Sequence, residues 1–280
     1  MHIKKEILKS PIFVIIEILS IIFFGLFIVS QITKQEPEPE PEEIKIELIP
    51  YTNYNWSLLN TDGYYSYEDD NYTSLVGIDV AAHQETIDWP KVKEAGIDFS
   101  YIRIGYRGAA EGILHEDLEF ENNYEGAKEN NIQVGIYWYS QPISIEEAIE
   151  EADFVLDILG DRDIDLPIVY DLEETFFYDG TQSRMRGLKP SEYTKMAVAF
   201  CNEILKNHHD VMIYTNLDWA LNHYVWSELE DIPIWFAQYD TIPRFKRPFV
   251  MWQYSDAGKV DGIDTNVDLD IMFIRKNDQN

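Results

Sequence analysis

The sequence predicts an α/β chain whose main domain is a closed eight-stranded barrel, preceded by a transmembrane helix and an acidic, proline-rich stalk. Three observations carry this. An almost unbroken apolar run from Ile12 to Val29 follows three lysines; a Glu-Pro repeat comes next; and from Leu75 onward eight short β-branched runs alternate with helical patterns. Charge divides the chain at the same places. Of 280 residues, 51 are Asp or Glu and 22 Lys or Arg, a net −29 that splits into +2 over 1–35, −9 over 36–74 and −22 over the rest. Such an acidic balance excludes nucleic acid as a partner. With 45% hydrophobic and 14% aromatic residues the chain can bury a large core, so neither a disordered chain nor a small disulfide-stapled domain is expected.

Taking the elements in order, residues 1–10 form a cytoplasmic flank and 11–33 the span. A helix needs about 20 apolar residues to cross a bilayer. The run exceeds the apolar core of a cleaved signal peptide, and no small-residue cleavage site follows it. The expectation is an uncleaved, single-pass anchor in the cell membrane, with the lipid bilayer as partner of 11–33. Lys4, Lys5 and Lys9 precede it, which sets the N-terminus inside and the remainder outside. Glu17 falls near the start of the run, where it can snorkel to the interface. Residues 34–50 contain EPEPEPEE (36–43), in which prolines favour polyproline II and like charges repel, the signature of an extended stalk. Residues 51–74 concentrate Tyr51, Tyr54, Trp56, Tyr64, Tyr65, Tyr67 and Tyr72 without clear periodicity. They read as a connecting segment packed on the neighbouring domain, the alternative being a contribution to ligand stacking.

The barrel is expected over 75–274, with a tail at 275–280. Its strand candidates are 75–80, 99–105, 133–139, 166–171, 211–215, 232–237, 250–254 and 266–270. Helices are expected over 117–130, 144–159 and 190–207, the last two opening with Ser144 and Ser191 near their caps. Strands alternating with helices argue for a parallel sheet with right-handed crossovers. The intervals 238–249 and 255–265 hold Pro243, Pro248, Gly258 and Gly262 and leave little room for a helix, so the late strands should lack one.

In such a barrel functional groups gather at the C-terminal strand ends. Asp79, Asp171 with Glu173, Trp252 with Tyr254, and Asp268 with Asp270 are placed there. Asp171 and Glu173 stand at i and i+2, on one side of an extended backbone. Two close carboxyls oppose each other's ionisation, so one keeps its proton to higher pH, as a general acid must. That suits glycosidic bond cleavage. An isolated D-x-E among 51 acids is usually a solvated loop; its position after LPIVY and the acids at other strand ends are what single it out. Aromatic residues near strand ends suit the apolar faces of sugar rings. Tyr137, Tyr139, Tyr214, Trp235, Trp252 and Tyr254 are the candidates for substrate binding, with Tyr137, Tyr214 and Trp252 preferred. Arg103 and Arg107 either meet substrate acids or pack within the barrel. The six histidines show no metal-binding spacing, lone Cys201 reads as a buried hydrophobe, and no phosphate loop or G-x-S-x-G elbow occurs, so no metal and no cofactor is expected.

Several segments carry a resemblance: GIDVAAHQETIDW (77–89), IRIGYRG (102–108), EFENNYEGAKENNIQVGIYWYS (119–140), PIVYDLEE (167–174), MIYTN (212–216), IWFAQY (234–239) and MWQYSDAGKVDGIDTNVDLD (251–270). In order, over about 75–274, they resemble glycoside hydrolase family 25, the Chalaropsis-type lysozymes or N-acetylmuramidases. The resemblance implies a TIM-like (β/α)5β3 barrel and cleavage of the β-1,4 bond between N-acetylmuramic acid and N-acetylglucosamine in peptidoglycan. It implies Glu173 as proton donor, Asp171 as the assisting carboxylate, and Asp79 and Asp268 lining the floor. The partners implied are glycan strands, met by a monomeric catalytic domain. Where the family commonly has Ser and Gly this chain has Ala81 and Glu85, and where it often has Tyr-His-Phe this chain has Tyr137-Trp138-Tyr139. A wall-binding module without activity is the alternative expectation; it would have lost an acid.

Overall fold

A computed structural model describes residues 54–276. The predicted flank, span and stalk over 1–50 lie outside the described residues, and no helix among the described residues is long and apolar enough to cross a membrane. Eight strands close into a barrel: β1 (Tyr72–Val80), β2 (Phe99–Arg107), β4 (Gln133–Ser140), β5 (Ile168–Leu172), β6 (Val211–Asn216), β7 (Ile234–Ala237), β8 (Met251–Gly258) and β9 (Val267–Arg275). Pairing of β1 with β2 completes the ring, and a short β3 (Leu114–Glu116) hangs on β2 as a hairpin.

Five helices follow the first five barrel strands: α1 (Trp89–Glu94), α2 (Phe120–Glu129), α3 (Ile145–Leu159), α4 (Pro190–Lys206) and α5 (Leu217–Asn222). None follows β7 or β8, as the proline- and glycine-bearing intervals imply. Ser144 caps α3 by accepting from the Glu147 N–H at 3.2 Å. Ser191, expected near the cap of α4, lies inside the first turn instead. The cap there is Lys189, whose N–H donates to Glu192 at 2.8 Å, with Pro190 in the first helical position.

The strand direction departs from expectation at one place. All neighbours around the ring are parallel except β9, which runs antiparallel to both β8 and β1. A parallel connection needs roughly a dozen residues or more, and only 259–266 lie between β8 and β9, so the chain returns as a hairpin. This reversal sends the start of β9, not its end, to the C-terminal pole of the other strands. Asp268 reaches the mouth for that reason.

Strand alternation sorts the side chains into two layers. Phe99, Tyr101, Val169, Met212, Trp235 and Met251 fill the interior. Gly77 is part of that packing, since a β-carbon there would lie 2.1 Å from the Phe99 ring. The opposite faces pack against the helices, Trp138 against Phe154 of α3 among them. Over β8 and β9, which no helix follows, the segment 54–67 supplies the cover. Tyr54 stacks on Phe273 at 4.0 Å and donates to the Phe249 carbonyl, Trp56 meets Trp252 edge-on, and Tyr65 stacks on Tyr254 at 4.0 Å. The aromatic segment is outer core, as its packed reading anticipates.

Candidate active site

At the C-terminal pole the inward positions surround a cavity of about 330 Å³, within the size range of small-ligand sites. Asp79, Asp171, Glu173 and Asp268 all line it, with Tyr137, Tyr139, Tyr214 and Trp235. Asp171 is the second-last residue of β5 and Glu173 lies one residue beyond the strand, so the i, i+2 relation directs both carboxyls inward. Burial, then the Glu173 and Asp79 charges, push the Asp171 carboxyl well above the carboxylate range. Burial also raises Glu173, against the opposing hydrogen bonds from Asn216 and Asp171. The Asn216 amide donates to Glu173 Oε2 at 2.9 Å, while Asp171 Oδ1 is buried without a hydrogen-bond donor. Two buried carboxyls within reach of each other hold a proton as a pair to a pH at which free ones would have lost both.

The floor is a second carboxyl group set. Gln253 donates to Asp79 Oδ2 at 2.8 Å and Asp268 Oδ2 at 3.2 Å, and its carbonyl accepts from Tyr214 and Tyr239 hydroxyls at 3.2 and 2.9 Å. Burial pushes Asp79 up to about 6, opposed by Gln253 and Asp270, and pushes Asp268 to about 8 with help from the Asp79 charge. Asp270 lies deeper, fully buried beside Asp79, where it accepts from the Trp235 indole N–H at 2.9 Å. Trp235 is thus fixed by the floor and presents its ring to the cavity.

Two of the expected aromatics go elsewhere. Trp252 and Tyr254 point out of the barrel: the Trp252 indole donates to the Gln238 carbonyl at 2.8 Å, and Tyr254 lies flat against Tyr65. Gln253 between them is the residue that faces in, so alternation puts its neighbours out. Gln253, Asn216, Thr175 and His83 were not among the sequence candidates. The available signal was phase: a polar Gln flanked by two aromatics in a strand buried on both faces marks the inward position. Thr175 meets the Tyr139 hydroxyl at 2.8 Å. Arg103 lines the wall, paired with buried Asp117 at 2.7 Å and 3.4 Å from His83. Arg107 does not reach the cavity; it is buried against Glu150 and Glu151. Trp138, where a His is common in the resembling family, also faces away, so its substitution leaves the cavity wall untouched.

Carboxyls at two depths, one pair close enough to share a proton, and ring faces between them make a site suited to protonating a leaving oxygen and stabilising positive charge on a sugar. The chain is 27% identical over 197 residues to the autolytic lysozyme of Clostridium acetobutylicum, covering 70% of this chain and 55% of that one. It is 30% identical over 206 residues to lysozyme M1 of Streptomyces globisporus, covering 70% and 67%. Among solved structures, the bacterial lysozyme from Streptomyces coelicolor superposes with a TM-score of 0.58 at 28% identity, over 70% of this chain and 90% of that one. The chain therefore spans about half to two thirds of the length of these two curated relatives. The family model for glycosyl hydrolases family 25 matches residues 78–263, from the strand bearing Asp79 to the turn before Asp268. With its barrel and its carboxyl-lined mouth inside that match or bordering it, the chain belongs to glycosyl hydrolases family 25.

Proposed function

We propose that this chain is a membrane-tethered muramidase that hydrolyses the β-1,4 bond between N-acetylmuramic acid and N-acetylglucosamine in peptidoglycan. The observation that carries the reading is the Asp171–Glu173 pair, buried at the mouth of a family 25 barrel with both carboxyls raised. Glu173 delivers the proton to the leaving oxygen. Asn216 engages its Oε2, which leaves the other carboxyl oxygen to carry that proton. As the bond breaks, positive charge grows on the sugar, and the negative charge left on the Asp171–Glu173 pair once its proton has gone stabilises it, while Asp171 orients the acetamido group or water that completes the reaction. Asp79 and Asp268, tied together through Gln253, hold polar groups of the substrate from below. Tyr137, Tyr139, Tyr214 and Trp235 supply ring faces to the sugar.

The lysozyme names of the relatives support this substrate class. The apolar run from Ile12 to Val29 after three lysines and the Glu-Pro repeat at 36–43 support a single-pass membrane protein with an outward barrel. The full chain should release reducing N-acetylmuramic acid ends from purified peptidoglycan, and Glu173→Gln should not. Equal release by the variant would overturn Glu173 as the proton donor, and no release by either protein would favour the inactive wall-binding module, against which the presence of Asp79, Asp171, Glu173 and Asp268 in one cavity argues. Cell fractionation tests the tether, which predicts that the protein sediments with membranes.

A further inference from the structure

Glu173 occupies an unusual place for a residue that must be aimed. The β4–β5 ladder ends at the Ser140–Leu172 pair, so the backbone of Glu173 lies one step past the last sheet contact. Backbone beyond a ladder is free to move unless something else holds it. Here the Gln141 side-chain amide donates to the Glu173 carbonyl, adding one rung that is made by a side chain. Gln141 is itself fully buried. Its backbone N–H turns the other way, donating to Glu151 Oε1 at 3.3 Å, and its carbonyl accepts from Arg184 at 3.3 Å.

Glu151, on α3 and fully buried, binds the whole corner. It accepts from Arg107 Nε at 2.8 Å and from the Ser140 hydroxyl. Arg107 also donates to the Gly112 and Glu147 carbonyls and to Glu150. Arg184, from the loop after β5, donates its backbone N–H to Ala109 and pairs with Glu147 at 2.6 Å. Loops following β2, β4 and β5 are thereby joined behind the cavity wall, and none of these charges faces the cavity. A buried ion pair contributes little net stability compared with apolar packing, so its value lies in fixing geometry.

We propose that Gln141 and Glu151 are positioning residues for Glu173: Glu151 orients Gln141, and Gln141 clamps the backbone from which the Glu173 carboxyl is aimed. The proposal rests on the muramidase reading for its kinetic consequence, while its structural half stands apart from it. The test uses the full chain with Gln141→Ala and Glu151→Gln, measured by hydrogen exchange and by steady-state kinetics on peptidoglycan. Gln141→Ala should speed exchange in the peptide covering 172–176 and leave the other strands unchanged. It should lower kcat by about 10- to 100-fold with KM within about twofold, because small misplacement of a reacting group costs rate before binding. Glu151→Gln should show the same pattern more weakly, and the two changes should be non-additive in kcat, since they act through one chain of contacts. If Gln141→Ala does not fold, Glu151→Gln carries both readouts. Unchanged exchange at 172–176, exchange raised throughout the barrel, or kcat losses that simply add would overturn the proposal. Local exchange rising in a protein that leaves peptidoglycan intact would keep the clamp and sink the muramidase reading instead.

Discussion

The barrel mouth holds two sets of carboxyl groups that differ in what surrounds them. At the end of β5, Asp171 and Glu173 have mainly each other, with one amide from Asn216. On β1 and β9, Asp79, Asp268 and Asp270 are shared among neutral donors, the Gln253 amide and the Trp235 indole. Both sets resist ionisation because they are buried and close together. The first lines the cavity, with its two carboxyls hydrogen-bonded to each other. The second is fastened in place by those donors, and its protonation is linked to stability. Identical side chains thus acquire opposite work from their neighbours.

The comparison breaks most sharply at Glu173. Glu173→Gln should lower kcat by about 10³- to 10⁴-fold, as expected for removal of a general acid, with folding unchanged by circular dichroism. Asp171→Asn should cost about 10²-fold, the scale of removing a stabilising group beside the reacting centre. It should also shift the alkaline limb of the pH–rate profile up, because Glu173 loses the Asp171 hydrogen bond that opposes the rise imposed by burial. An Asp171→Asn profile identical to that of the parent would show that the two carboxyls do not share a proton.

At the floor the larger effect should be on stability. Folded-state pKa values there lie above the unfolded values, so the contribution to stability is fully present below about pH 4, the unfolded carboxylate range, and is lost as pH rises through about 6 for Asp79 and about 8 for Asp268. Asp268→Asn should therefore raise Tm at pH 8 by several degrees while leaving Tm at pH 4 unchanged, as read by calorimetry. A Tm that falls equally at both pH values would mean that the Asp268 contacts outweigh its charge. Glu85 offers a smaller effect. It stands where the resembling family commonly has Gly and holds φ 55°, ψ −137°, a conformation only Gly adopts without strain. Glu85→Gly should stabilise by about 1 kcal/mol in urea unfolding. The smallest change is expected outside the barrel, where Tyr254→Phe removes one acceptor for the Tyr65 N–H. It should cost about 0.5 kcal/mol and leave KM untouched. A changed KM would return Tyr254 to the site.

Much of this architecture was legible. Short β-branched runs marked the barrel strands, and the D-x-E spacing marked the pair that the cavity brings together. What stayed hidden has one physical source. Barrel strands are buried on both faces, so hydrophobicity does not report which face is inside; Trp252 and Tyr254 look as inward as Tyr214 until Gln253 fixes the phase. Direction was hidden likewise, because a run such as VDLD reads the same upward or downward, and only the short 259–266 connection reverses it. The three-residue β3 and the six-residue α1 and α5 are too short to carry a periodic signal.

The aromatic cover has a mechanical consequence. Tyr54 packs beside Tyr72, Phe249 and Phe273, at the pole where β1 and β8 begin and β9 ends, opposite the cavity. Tension applied through the residues that precede Tyr54 would first load this clasp of stacked rings. The segment 54–67 would have to peel from the outer wall before β1 felt the pull, and the carboxyls at the far pole would keep their spacing until it did.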